Sequence, residues 1–452
     1  MVVPALPVLE RDLHASASWA TWTVSIYLLS ASVATPLLGR LGDQIGKGRV
    51  LVVVLAVFVI GCLGAMLAWN IWSLIVFRAV QGVAGASYPL AFSIIRDELP
   101  THRVSVGMGL VSSMLGVGGG LGLVMSGLIA DHGSWRLLFV VGAVIGTAAL
   151  LAVWRYVPES PVRSPSRPDA VGALLLSGGL IAILVALTEG PTWGWGSVRF
   201  LGLCGLGIAT LVAWGAAELR IREPMVDMRM LARRPVLFTN LAALATGVVM
   251  YVTFTLAPVL SELPRGLPPG LARMVDYGFG ASVTVAALYL LPGALAMLPA
   301  GPLGGLLGRA RGARVQLVTG LGVMAVGSAL LAAWHAEPWQ LVTAFVVASV
   351  GVAVAFGAMP KLITDAVAPT ETGVATGMNT VVRTVGGVIG SQIGATLLAS
   401  QTIGRTAVPA ESAFEAAFWL AAALAVVGMA LAALAAPRRA ADVSALEVVS
   451  AR

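Results

Sequence analysis

The sequence predicts an all-α polytopic membrane protein, and three observations carry that expectation. Apolar residues fill 58% of its 452 positions and charged residues only 11%, with a mean hydropathy of +0.92, whereas soluble domains carry about 25% charged residues. Apolar runs of about 20 residues, the length that crosses a bilayer as a helix, recur from one end to the other. Between them, basic residues concentrate in alternate loops.

Residues 1–15, MVVPALPVLERDLHA, read as an apolar stub followed by a charged exit. The stub is too short to cross about 30 Å of hydrocarbon, so most of a first helix is expected to be missing. Pro4, Pro7 and Glu10 interrupt it too early for a signal peptide. Thirteen full spans are expected at roughly 19–39, 50–68, 71–94, 105–130, 136–156, 171–188, 198–217, 236–260, 280–303, 315–334, 339–358, 373–399 and 414–436. In this register the loops assigned to the cytoplasm hold 20 Lys and Arg, against six outside: Arg11, Arg136, Arg199, Arg265, Arg273 and Arg405. The ratio fixes the orientation, and it reads the excess of 28 basic over 21 acidic residues as topology rather than nucleic-acid binding.

Internal repetition divides the chain. The spacing Gly39-x-Leu41-x-Asp43-x-x-Gly46 returns as Gly305-x-Leu307-x-Arg309-x-x-Gly312-x-Arg314, with Arg309 where the first copy has Asp43. Six spans, counting the stub, end near residue 156 and six begin near 236. The expected organisation is an N-terminal half at 1–156, a linker with two extra spans at 157–235, a C-terminal half at 236–436 and a cytoplasmic tail at 437–452. Duplicated halves of this kind place a solute site between them near the midplane.

The first copy, Gly39 to Arg49, packs its charges into a short Gly-rich stretch between two spans, and is expected as a water-exposed cytoplasmic turn holding Asp43, Lys47 and Arg49. Its glycines allow two helix ends to approach. Arg78, followed by Gln81 and Gly82, and Arg383, in a Gly-rich span with Asn379, are the cations inside spans. Each must face the protein interior or a wet cavity, as a clamp between helices or as a group that meets protons or cargo. Gly109, Gly118, Gly122 and Gly127 form a small-residue pattern suited to close helix packing. Tyr27, Trp22, Met114, Met250, Tyr251, Phe254, Tyr289 and Phe356 could line the path, which with so few internal charges suits apolar or amphipathic molecules.

No acid falls near the middle of a span; Asp97, Glu98 and Glu189 sit at span ends. Cys62 and Cys204 lie inside apolar runs, and His14, His102, His132 and His335 show no metal-ligand spacing, so neither a disulfide framework nor a metal site is expected. A phosphate-binding Gly-rich loop, paired carboxylates and a nucleophile with a base are equally missing from the pattern, which argues against ATP-driven transport and against an enzyme. Ser261 to Tyr277 reads as a surface loop.

Gly39, Leu41, Asp43, Gly46 and Lys47 resemble the G-x-L-x-D-x-x-G-(K/R)-(K/R) signature of the major facilitator superfamily, with Arg49 supplying the basic residue displaced by Gly48. Arg78-x-x-Gln81-Gly82 is similar to a second signature of that family, linked there to proton coupling. Gly109, Gly118, Gly122 and Gly127 resemble the antiporter signature G-x8-G-x3-G-P-x-x-G-G, with Leu123 in place of Pro and Ser126 in place of the first paired Gly. Val2, Ala5, Leu6, Pro7 and Asp12-Leu13, and Asp131 with Ser134-Trp135-Arg136, look like segments of its fourteen-span drug:proton antiporters. The resemblance implies a monomeric exporter of hydrophobic small molecules in the cell's inner membrane. It needs no cofactor, is driven by the proton gradient, and works by alternating access. A facilitator, an importer, a receptor and a non-transporting relative are the rival readings.

Overall fold

A computed structural model describes residues 6–160, 162, 169–265, 267, 269–272, 274–404, 406 and 408–435. In hydrocarbon every backbone N–H and C=O must be satisfied within its own segment, so the apolar runs become helices. Short α1 (Leu6–Asp12) precedes α2 (Ala17–Ile45), α3 (Lys47–Met66) and α4 (Ile71–Gly82), which continues through a 3-10 turn at Val83–Ala86 into α5 (Ser87–Glu98). Then come α6 (Thr101–His132), α7 (Arg136–Tyr156), α8 (Ala170–Trp193), α9 (Val198–Glu218) and short α10 (Met228–Leu231). The chain continues with α11 (Arg234–Glu262), short α12 (Pro269–Ala272), α13 (Val283–Arg311), α14 (Ala313–Ala333), α15 (Pro338–Ala366), α16 (Thr372–Ser400) and α17 (Glu411–Leu434). With α4 and α5 counted together, 13 of these are long and apolar enough to cross a membrane. Among the described residues the only β pairing is the bridge between Thr402 and Pro409.

Caps mark the helix starts: Ser16, Ser197 and Ser282 accept backbone N–H groups of α2, α9 and α13, and Asn70 forms a reciprocal box with Ser73 at α4. The bundle closes through two long contacts, α2 against α16 and α6 against α13 and α15. Elsewhere α11 packs on α15, α16 and α17, α14 packs on α15 and α17, and α3 packs on α7. The two extra spans, α8 and α9, pair with each other, and α8 leans on α2 and α16. Because lipid tails are as apolar as leucine, close backbone approach has to hold these helices together. A Cβ added at Gly301 would stand 2.2 Å from the Gly109 carbonyl, and one at Gly386 would stand 2.2 Å from the Leu244 carbonyl.

Three expectations are corrected. Gly39 to Arg49 is not an exposed turn: α2 runs to Ile45 and α3 starts at Lys47, with only Gly46 between, and both Asp43 and Lys47 are buried. Within α6 the glycines in contact with α13 include Gly109, Gly116, Gly120 and Gly127, whereas Gly118 faces open space. Helical periodicity explains this, since positions 116, 120 and 127 share a stripe with 109 that 118 leaves. Tyr277, expected on a surface loop, is buried; its hydroxyl donates to the Pro409 carbonyl, and burial pushes its phenol up to about 12, with Glu411 and Asp276 adding to the shift. The tail at 437–452 lies outside the described residues.

Gly301→Val should therefore lower stability by about 1–3 kcal/mol through overpacking, read as the unfolding midpoint in detergent. Gly118→Ala should stay level or gain slightly, because its Cβ meets nothing.

Candidate functional site

At the end of the bundle where α2 meets α16, backbone and buried charge form a latch. Gly39 and Gly373 face each other so closely that a Cβ on Gly39 would stand 2.5 Å from the Gly373 carbonyl. That approach carries Asp43 to the first turn of α16, where its carboxylate accepts the N–H of Gly373 at 3.1 Å and of Val374 at 3.0 Å. These donors have no partner inside their own helix, and the helix dipole favours an anion there. Lys47 Nζ lies 3.7 Å from Asp43, donates to Asp97 at 2.5 Å and to the Thr372 hydroxyl at 3.2 Å. Two carboxylates and one ammonium thus leave a single negative charge, offset by the positive end of α16.

The inter-half linker completes the latch. Gly46 adopts φ +122°, which only glycine holds without strain, and its Cβ position is occupied by the Glu159 carboxylate. Glu159 accepts the N–H of Gly48 at 3.2 Å and of Arg49 at 3.0 Å, capping α3 from outside it, while Ser160 donates to Asp97 at 2.6 Å. Across the interface Arg96 donates to the carbonyls of Val367 and Ala368, and Arg233 to that of Ala366, at the C-terminal end of α15. Sequence reasoning placed Asp97 as a span-end acid but missed its pairing with Lys47, and it missed Glu159 and Ser160 altogether. Contacts between segments 50 to 111 residues apart leave no local signal.

The second copy has the same backbone and different chemistry. Gly312 also has positive φ (+92°), and a Cβ at Gly305 would stand 2.6 Å from the Ser105 carbonyl of α6. Yet Arg309 and Arg314 are exposed and α6 has no side-chain cap, so the repeat gives two close approaches and one charged latch.

Above the latch lies an apolar cavity of about 280 Å³ between α6, α11, α13 and α15, lined by Met250, Tyr251, Phe254, Met297 and Phe345. A smaller space of about 140 Å³ shares Leu115, Met250 and Tyr251 with it, and reaches Tyr27, Tyr88, Phe356 and Arg383. Arg383 stacks over Phe356 with its guanidinium carbon 4.2 Å from the ring centroid. Asn379, one turn before it, bonds Asn240. Arg78 acts as a clamp: Nε donates to the Thr23 carbonyl at 2.9 Å, a terminal nitrogen to Gln81 at 2.7 Å, and the group lies over Tyr27. Gly82 lets α4 reach α2, since a Cβ there would stand 2.6 Å from the Tyr27 carbonyl. Among the described residues no carboxylate lines either cavity. Of the expected aromatic and Met lining, Trp22 bonds Glu189 at 2.7 Å, Met114 is exposed and Tyr289 packs on Phe279.

The chain is thus a multi-pass membrane bundle that encloses an apolar cavity and is closed at one end by interlocked charges. A profile of the Major Facilitator Superfamily matches residues 1–293 and 268–449, and the chain belongs to that superfamily. It is 30% identical over 271 residues to the tetracenomycin C resistance and export protein of Streptomyces glaucescens, covering 58% of this chain and 50% of that protein. It is 26% identical over 353 residues to a multidrug transporter protein of Bacillus subtilis, covering 78% and 62%, and 29% identical over 357 residues to the uridine/deoxyuridine transporter of Lactococcus lactis, covering 75% and 71%. The matches thus span 50%, 62% and 71% of the length of these curated relatives. A proton:xylose symporter structure shares the fold at 14% identity with a TM-score of 0.64, covering 95% of this chain and 90% of that one.

Asp43→Asn should weaken the contact with α16 by about 1.5 kcal/mol, a roughly tenfold shift away from the latched state. Spin labels at Glu98 and Asp365, in a background without Cys62 and Cys204, should report a longer separation. Glu159→Gln, whose partners Gly48 and Arg49 lie on its own side of the interface, should leave it unchanged. An unchanged distance distribution in Asp43→Asn would remove the latch.

Proposed function

We propose that the chain is a proton-coupled exporter of hydrophobic or amphipathic small molecules, working by alternating access as a monomer in the cell's inner membrane. The observation that carries this reading is the apolar inter-half cavity above the latch, a space that pays little to desolvate greasy cargo and offers almost no partners to sugars or phosphates. Two of the relatives bear export or multidrug names, which agrees with it. The halves at 1–156 and 236–436 rock about the cavity, with 157–235 as linker and accessory spans and 437–452 as tail. The latch closes the cytoplasmic end, so the conformation described is shut on that side. Arg78 and Arg383 are the groups that answer protons or cargo, and Gly305, Arg309, Gly312 and Arg314 form the gate of the second half.

The assignment to the fourteen-span antiporters rests on the two extra spans, α8 and α9. A facilitator or importer remains the second reading, favoured by the uridine transporter among the relatives and by the carboxylate-poor lining of the cavities.

In inside-out vesicles an acid interior should drive uptake of an amphipathic fluorescent dye, and nigericin should abolish it; undiminished uptake would refute proton coupling. Arg383→Ala should cut the initial rate at least about tenfold, equivalent to roughly 1.4 kcal/mol, at equal protein level.

A further inference from the structure

At the end opposite the latch, a histidine converges with two glutamates that lie one helical turn apart and at least 76 residues further along the chain. His335, in the connection from α14 to α15, is 7% exposed, and its Nε2 stands 3.2 Å from a Glu411 carboxylate oxygen. Glu415, one turn along α17, brings a third ligand atom, and all three lie within 4.8 Å of one another. The other ring nitrogen, Nδ1, is buried without a hydrogen-bond partner. Among the described residues no Lys or Arg pairs with either glutamate. Two carboxylates facing one nearly buried imidazole form an electron-rich pocket suited to a cation.

We propose that His335, Glu411 and Glu415 bind a divalent transition-metal cation, with zinc the best match. One imidazole nitrogen and two carboxylate oxygens suit zinc, whereas calcium and magnesium favour oxygen alone. Bonds of about 2.0–2.1 Å at tetrahedral angles set neighbouring ligands about 3.3 Å apart, close to the 3.2 Å between His335 and Glu411. Glu415 reaches the same centre by side-chain rotation, since it is only half-buried, and water takes the fourth position. Nε2 coordinates, which assigns the proton to Nδ1. The ion ties the α14–α15 connection to the first turn of α17. Through the Tyr277 bond to Pro409 and the Tyr277–Phe414 ring contact it also anchors the segment before α13. The site is a staple on the outer face of the second half, independent of the cargo.

The test uses the full chain in lipid nanodiscs, with zinc chloride titrated against a chromophoric chelator. One zinc per chain is expected. Glu411→Gln and Glu415→Gln should each weaken it by at least about 100-fold, because even groups behind a metal ligand are worth 10- to 100-fold. Glu98→Gln, exposed at the latch end, should leave it unchanged. Cobalt should give the intense visible bands of a four-coordinate site, lost on His335→Ala. His335 is buried, so if that variant misfolds the Glu415→Gln titration still decides. Zinc binding that survives the Glu411→Gln, Glu415→Gln double variant, or no binding up to about 1 mM, a thousandfold above a micromolar site, would overturn the proposal.

Discussion

A carboxylate can be held out of water only where something answers its charge, and at Asp43 the answer is the open end of another helix. The N–H groups of Gly373 and Val374 belong to the first turn of α16 and find no acceptor within it. Asp43 supplies the acceptor, and α16 supplies the positive field. Each satisfies a requirement the other cannot meet alone, so the contact fixes where α16 lies against α2. The smaller of the two spaces depends on this placement, because Arg383, which lines it, rides on the same helix further from the latch. A displacement at the first turn of α16 would be carried along the rod to the cation stacked on Phe356.

The duplication shows how one backbone plan is given two chemistries. Gly46 and Gly312 both hold positive φ, and Gly39 and Gly305 both admit a helix from the opposite half. The first copy adds an acid to a helix start, while the second has Arg309 at the matching position. A cation facing the N-terminal turn of α6 would be repelled by its dipole, and Arg309 stays in solvent. The two interfaces are therefore similar in shape and different in chemistry. The second contact, α6 on α13, relies on glycine packing instead.

The spans, their number and the duplicated loop were legible from sequence, because hydropathy and spacing are local and bilayer thickness is a strict ruler. The buried state of Asp43 and Lys47 was not legible: eleven residues rich in Gly and charge look like a solvated turn until α16 arrives from residue 373. Arg78 was recognisable as an interior cation, and its Gln81 partner three residues on is a helical neighbour. Arg383 was equally visible, but its aromatic partner Phe356 comes from a different helix, while Asn379 bonds Asn240. The glycine pattern in α6 misled in part, since a motif written as spacing does not say which side of a helix meets the neighbour.

A latch built from buried charges would be expected to hold too firmly for the alternating access proposed above, and the connectivity resolves this. Lys47, Asp97, Ser160 and Glu159 all precede the second half, so their bonds survive any separation of α2 from α16. The bonds from Asp43 to Gly373 and Val374, from Lys47 to Thr372, and from Arg96 to Val367 and Ala368 must break there. When they break, water replaces the lost donors, so the net difference per bond falls to about 1.5–3 kcal/mol rather than the full interaction in a dry interior. Removing Lys47 would be another matter, because Asp43 and Asp97 would then face each other buried and without a cation, at a cost of about 3–5 kcal/mol. The lysine keeps the acids affordable in both states, and the aspartate decides which state is populated.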